Sequence, residues 1–176
     1  MKHTSTITIL FFCLAHFCNG QGRTFSLSRP IVTQIDSIEK ENGGKLFKTS
    51  IQFGVSKNYF PNADKYDLEN PFIYFRNEQP FNLEMSYYYS LPDSIVRLLS
   101  YSWDGNTATS QKLSELFDEN TKILSALFGS AGNEKKEQHE SWGQRSIIWE
   151  NKTVYVNQFQ VYGQTTNRVR VLISWK

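Results

Sequence analysis

The hydrophobic residues of this chain recur with two different periods. Between Ser110 and Phe128, the apolar residues Leu113, Leu116, Phe117, Ile123, Leu124, Leu127 and Phe128 fall mostly three or four apart, with Lys112, Glu115, Asp118, Glu119 and Lys122 largely between them. That spacing lays one apolar stripe along an α-helix. Thr109 or Ser110 can cap its start and Gly129 can end it. A helix with a single face to bury is expected to lie across a sheet.

Elsewhere the period is two, the signature of a strand with one buried face. Phe47, Thr49, Ile51, Phe53 and Val55 alternate with Lys48, Ser50, Gln52 and Gly54, and Phe81, Leu83, Met85, Tyr87 and Tyr89 alternate in the same way. Near the end, Val169, Val171, Ile173 and Trp175 alternate with Arg168, Arg170, Ser174 and Lys176, with Leu172 the one exception on the polar side. Phe25 to Ile38 is strand-like but broken by Pro30, which suits an edge or a bend, and Asn42 to Gly44 would turn it into a hairpin with residues 47–55. On Ile95 to Trp103, Ile95, Leu99, Tyr101 and Trp103 share a face with Arg97, while Val96 and Leu98 lie opposite. A one-residue slip of register would exchange those faces.

Lys57 to Asn70 reads as a surface loop, as does the charged stretch Ser130 to Arg145; Ser146 to Trp149, Thr153 to Tyr162 and Arg168 to Trp175 then read as a meander. The predicted fold class is α+β, an antiparallel β-sheet of hairpins plus a C-terminal three-stranded meander, with one long amphipathic helix packed on one face.

The first twenty residues change what chemistry is open to the rest. Lys2 precedes the apolar stretch Ile7 to Phe17, and Cys18 and Gly20 are small residues ahead of Gln21. That reads as a cleaved secretory signal peptide over 1–20, too short to span a bilayer, with a single α+β domain over 21–176 that is secreted or periplasmic. A lipid anchor is not expected, because Phe12 and Phe17 stand where a lipidated Cys13 or Cys18 would need a small residue. No later run of 18 apolar residues follows, so no transmembrane segment is expected.

The leader holds both cysteines and two of the three histidines. Its loss would remove thiol nucleophiles, disulfides and multi-histidine metal sites. Without Lys2 the 19 basic side chains become 18 against 17 acidic ones, too even a balance to predict nucleic acid as a partner. A domain of this size can bury roughly two thirds of its unfolded surface, enough for a core without disulfides.

His139, between Gln138 and Glu140, is the one imidazole of the mature chain, in its most hydrophilic loop and with no Gly-x-Ser-x-Gly elbow to serve. Asp64, Asp67 and Glu69 lack the glycine and the distal glutamate of a twelve-residue calcium loop. No metal or cofactor is therefore expected. Glu84, Asp104 and Glu150 are the carboxylates to inspect for paired acid chemistry, which needs two acids about 5 to 10 Å apart. Tyr59, Tyr66, Tyr88 and Trp142 are the aromatics to inspect for binding, Tyr88 because it must face away from Tyr87 and Tyr89. Asn151 to Thr153 forms an N-glycosylation sequon.

Three functions stay open. The leading one is an exported non-enzymatic domain that binds a protein or glycan partner through exposed aromatics and sheet edges. The others are a small carboxylate-dependent extracellular hydrolase and a structural module of a cell-envelope assembly.

Overall fold

A computed structural model describes residues 23–57 and 59–176, so the leader expected at 1–20 lies outside the described residues. Eight strands form one antiparallel sheet: β1 (Lys45–Phe47), β2 (Phe72–Glu78), β3 (Phe81–Ser90), β4 (Ile95–Gly105), β5 (Asn133–Gln138), β6 (Trp142–Glu150), β7 (Val154–Gly163) and β8 (Asn167–Trp175). Their order is β1-β2-β3-β4-β8-β7-β6-β5. Two helices join them, α1 (Ile35–Glu41) and α2 (Ser110–Phe128). The fold is α+β, with the long amphipathic helix α2 packed on one face. After β4, α2 carries the chain across that face to the far edge, and β5 to β8 return strand by strand to pair with β4.

Period two places Leu83, Met85 and Tyr87 of β3, Leu99, Tyr101 and Trp103 of β4, and Val169, Val171 and Ile173 of β8 on the helix-covered face, all buried. Leu113, Leu116, Phe117 and Leu124 of α2 fill this core. Each such side chain contributes roughly 1.5–3 kcal/mol relative to exposure. A polar seam sets how the helix lies. Gln158 Nε2 donates to the Phe117 carbonyl (2.7 Å) and to Thr121 Oγ1 (3.0 Å), and Arg145 reaches Asp118 (3.0 Å) and the Ser114 carbonyl (3.1 Å). Gly129 ends α2 at φ 65°, a left-handed conformation that glycine adopts without steric cost. Thr109 takes the N-cap position of α2 as expected, though its side chain makes no cap bond there; the side-chain cap is one turn earlier, at Asn106. Its Oδ1 accepts from the Thr109 N–H while Thr109 Oγ1 accepts from the Asn106 N–H, starting a 3-10 turn that runs into α2.

The opposite face has its own small core. Leu98, Leu172 and Phe159 are covered by Phe60, with Tyr59 stacked on Phe159 (4.7 Å) and Tyr66 stacked on Phe60 (6.0 Å). Leu172, the apolar exception among polar positions of β8, is buried here, and residues 59–68 pack on the sheet through Tyr59, Phe60, Ala63, Tyr66 and Leu68. A bulge between Tyr88 and Tyr89 leaves Arg97 without a partner in register, with Tyr88 opposite Leu98 and Tyr89 opposite Val96. The extra residue inverts the alternation. Val96 therefore joins Leu99, Tyr101 and Trp103 in the main core, not the face of Leu98 as strict alternation predicts.

Three further expectations are corrected. Residues 25–38 are not a strand: an irregular segment leads through a 3-10 turn, Val32–Gln34, into α1. Strand character near residue 47 is confined to β1, which pairs with β2, while residues 48–57 join no ladder despite their alternation. The polar stretch after α2 holds β5 and the start of β6, so the C-terminal meander has four strands. β5 is exposed at all but one position and has no apolar residue, which is why periodicity does not reveal it.

α1 is seven residues long, below the length at which an isolated helix holds itself. Tertiary bonds hold it to the sheet. The fully buried Glu39 carboxylate accepts from Arg76 Nε and Nη2, both at 2.8 Å, and from the Tyr87 hydroxyl. Gly44 is pressed against this pair, since a Cβ there would lie 2.5 Å from Glu39 Oε2.

Candidate functional site

The structure gathers three of the four expected binding aromatics and separates the fourth. Tyr59, Tyr66 and Tyr88 share the face opposite α2, but Tyr59 is spent on Phe159, and Tyr66 lies between Phe60 and the Arg97 guanidinium, 4.4 Å above its ring. Tyr88 is half-buried, and burial raises the pKa of its hydroxyl. Trp142 stands at the start of β6, 38 % exposed and stacked on His139 (4.1 Å), where the His139 N–H donates to the Trp142 carbonyl to close the β5–β6 turn. It begins a strand rather than clamping a loop.

The expected acids are dispersed and occupied. Glu84 accepts from the Ser86 hydroxyl (3.1 Å), both carboxylate oxygens of Asp104 accept from Arg168, and Glu150 pairs with Lys176 (2.8 Å). Glu84 lies opposite Ser102, which sets it diagonal to Asp104 on one sheet face. Glu150, on β6, is separated from both by β7 and β8. Asp64 pairs with Lys57, and among the described residues no three His, Cys, Asp or Glu side chains are grouped as a metal site. Asn151 is exposed in the β6–β7 turn, where its Oδ1 accepts from the N–H groups of Thr153 and Val154.

A crevice that the sequence does not disclose runs beneath residues 23–31. Its two adjoining lobes, about 300 and 370 Å³, share Thr24, Asn42, Arg76 and Tyr101. Phe25 packs edge-on against Tyr101 (5.1 Å), and Trp175 Nε1 donates to the Leu27 carbonyl (2.9 Å), which holds the overlying segment down. Glu39 is bound by Arg76 and Tyr87; Glu78 accepts from Arg23 (3.1 Å) and from Trp103 Nε1 (3.0 Å). Burial first, and bonding to Glu39 second, raise the Tyr87 pKa, and burial raises that of Tyr101. Each carboxylate here neutralises an arginine, so the arrangement fastens α1 and the N-terminal segment to the sheet.

The two edges of the sheet differ sharply. β5, on one edge, is Asn-Glu-Lys-Lys-Glu-Gln, and the pairs Lys135–Glu137 and Lys136–Glu134 line it with charge. Charged edges resist strand addition. β1, on the other edge, is paired on one side only. On β1, on its neighbour β2 and in the segment that follows β1, Leu46, Phe47, Phe75, Ile51 and Phe53 are all between 38 and 65 % exposed, five of the nine exposed large hydrophobics among the described residues. Phe47 and Phe75 meet edge-to-face at 5.6 Å. Phe53 donates its N–H to Asn70 Oδ1 (3.2 Å), which keeps the unladdered segment beside the base of β2. Exposed apolar groups at an open edge are the kind of feature that interaction surfaces use. The alternation of residues 47–55 is its signal in the sequence, strand-forming residues left without a strand to join.

Comparison with protein-family models, with curated proteins and with solved structures finds no match to this chain.

Proposed function

We propose that this chain is an exported, non-enzymatic domain that binds a protein partner by accepting an extended segment along β1. The observation that carries this reading is the contrast of edges: β5 is sealed by charge, while β1 is flanked by exposed Phe47, Phe75, Ile51 and Phe53. Strand addition draws affinity from main-chain hydrogen bonds and specificity from pockets for alternate side chains. Residues 45–57 contain Lys45, Lys48 and Lys57 and no acid. The complementary partner segment is thus apolar at alternate positions and acidic between them. Export rests on the leader-like residues 1–20; among the described residues no helix is long and apolar enough to cross a membrane.

The test uses the purified protein as bait for envelope and culture-medium proteins of its own host. Ile51→Lys with Phe53→Lys is expected to abolish capture of the partner while leaving the unfolding temperature unchanged, because both side chains are exposed. Trp142→Ala is expected to leave capture intact. Capture that survives the double lysine variant but fails in Trp142→Ala would move the binding surface to the β5–β6 end and refute the β1 reading.

A further inference from the structure

We propose that the face opposite α2 carries a second ligand site, a pocket in which Arg170 receives the carboxylate of a small monoanionic molecule. The chain has seven arginines. Five are in ion pairs: Arg23 with Glu78, Arg76 with Glu39, Arg97 with Asp93, Arg145 with Asp118 and Arg168 with Asp104. Arg29 lies 5.7 Å over the Trp175 ring and donates to the Lys176 carbonyl. Arg170 is the one arginine that makes no direct ion pair or carbonyl bond with a described residue: its Nε donates to Ser102 Oγ (3.2 Å), and Glu84 and Asp104 attract it only from longer range. Neither terminal nitrogen of its guanidinium has an acceptor among the described residues.

This cation is half-buried, and desolvation first, with Arg168 second, lowers its pKa against the weaker pull of Glu84 and Asp104. A desolvated charge with no direct ion pair is costly, and an incoming carboxylate would offset that cost. It stands at a built pocket of about 150 Å³, an order of magnitude above the roughly 10–15 Å³ that one water requires. Val55, Leu98 and Leu172 supply apolar wall, and Tyr88 and Ser100 add hydroxyls. The planar fork of arginine matches a carboxylate through two parallel N–H···O bonds. Two acids already face this region, Glu84 beside Ser86 and Asp104 on Arg168. A second charge on the ligand would be repelled, which selects a monoanion with a compact body over a phosphate dianion.

The test is titration of the isotope-labelled protein with benzoate and with glucuronate, each against its neutral counterpart, benzamide or glucose, and with inorganic phosphate. At least one carboxylate is expected to saturate and to move the amide signals of Ser100, Arg170 and Leu172, while the neutral counterparts do not. Benzoate alone would mark an apolar body, glucuronate alone a sugar. Arg170→Gln is expected to weaken binding about tenfold or more, the effect of losing a charge-assisted pair. Without ligand, the same variant is expected to unfold at nearly the same temperature, since Arg170 makes no direct ion pair with a described residue. The proposal is overturned if no carboxylate saturates up to about 10 mM, if phosphate binds as well as the best carboxylate, if Arg170→Gln binds undiminished, or if that variant is markedly less stable.

Discussion

Replacing Glu39 by glutamine keeps the shape of the side chain and removes its charge, which makes it a direct probe of how α1 is held. Three bonds enter this carboxylate in the wild type, two from Arg76 at 2.8 Å and one from the Tyr87 hydroxyl. Breaking a buried ion pair from one side costs about 3–5 kcal/mol, because the surviving charge is left without a partner. Arg76 keeps 17 % of its side chain exposed, so the lower end applies, ~3 kcal/mol. For a domain of this size that lowers Tm by roughly 6–12 °C. Glu39→Met combined with Arg76→Met is expected to recover at least half the loss, since no lone charge remains. Calorimetry and urea unfolding measure both variants. The Glu39 carbonyl also accepts from the Gly44 N–H (2.7 Å), just before β1, so amide exchange should quicken at Lys45 to Phe47 in Glu39→Gln. A loss under about 1 kcal/mol, or a double variant no more stable than the single, would refute the view that this buried pair organises the region.

Two other expectations concern the whole chain. Stability should fall at alkaline pH. Burial first, and the nearby Asp36 next, raise the Tyr74 hydroxyl to about 12, and Tyr87 and Tyr101 are raised as well. These tyrosines stay protonated in the fold while the unfolded chain ionises near pH 10, so their contribution is complete below about pH 10 and is lost between there and 12 or above. Tyr74→Phe should flatten that decline in pH-dependent urea unfolding, and an unchanged slope would contradict it. Mass spectrometry of protein from the native host should find an amino terminus near Gln21; retention of Met1 would exclude the cleaved leader.

The elements legible in the sequence are those whose own pattern is sufficient. α2 is bounded by its apolar stripe and Gly129, and β3 and β8 by alternation that only Leu172 interrupts in β8. α1 is not legible because its stability resides in Arg76 and Tyr87, 37 and 48 residues from Glu39. β5 is not legible because an edge strand with no buried side chain carries no hydrophobic period. The bulge at Tyr88 and Tyr89 defeats alternation by one residue and moves Val96 to the other side. In the candidate sites, tyrosines were easy to single out by type, yet Tyr59 and Tyr66 are used for packing. Arg170 has the opposite character: an arginine at an outward strand position is ordinary until its neighbours show that it makes no direct ion pair and stands at a pocket.

The unequal margins of the sheet also govern stoichiometry. A layer that welcomes a strand on one side and repels it on the other can close a stack but cannot propagate one. On the strand-addition reading proposed above, association at Lys45 to Phe47 would take one guest, because the Glu and Lys residues of Asn133 to Gln138 leave the opposite edge of this sheet unfavourable to a second strand.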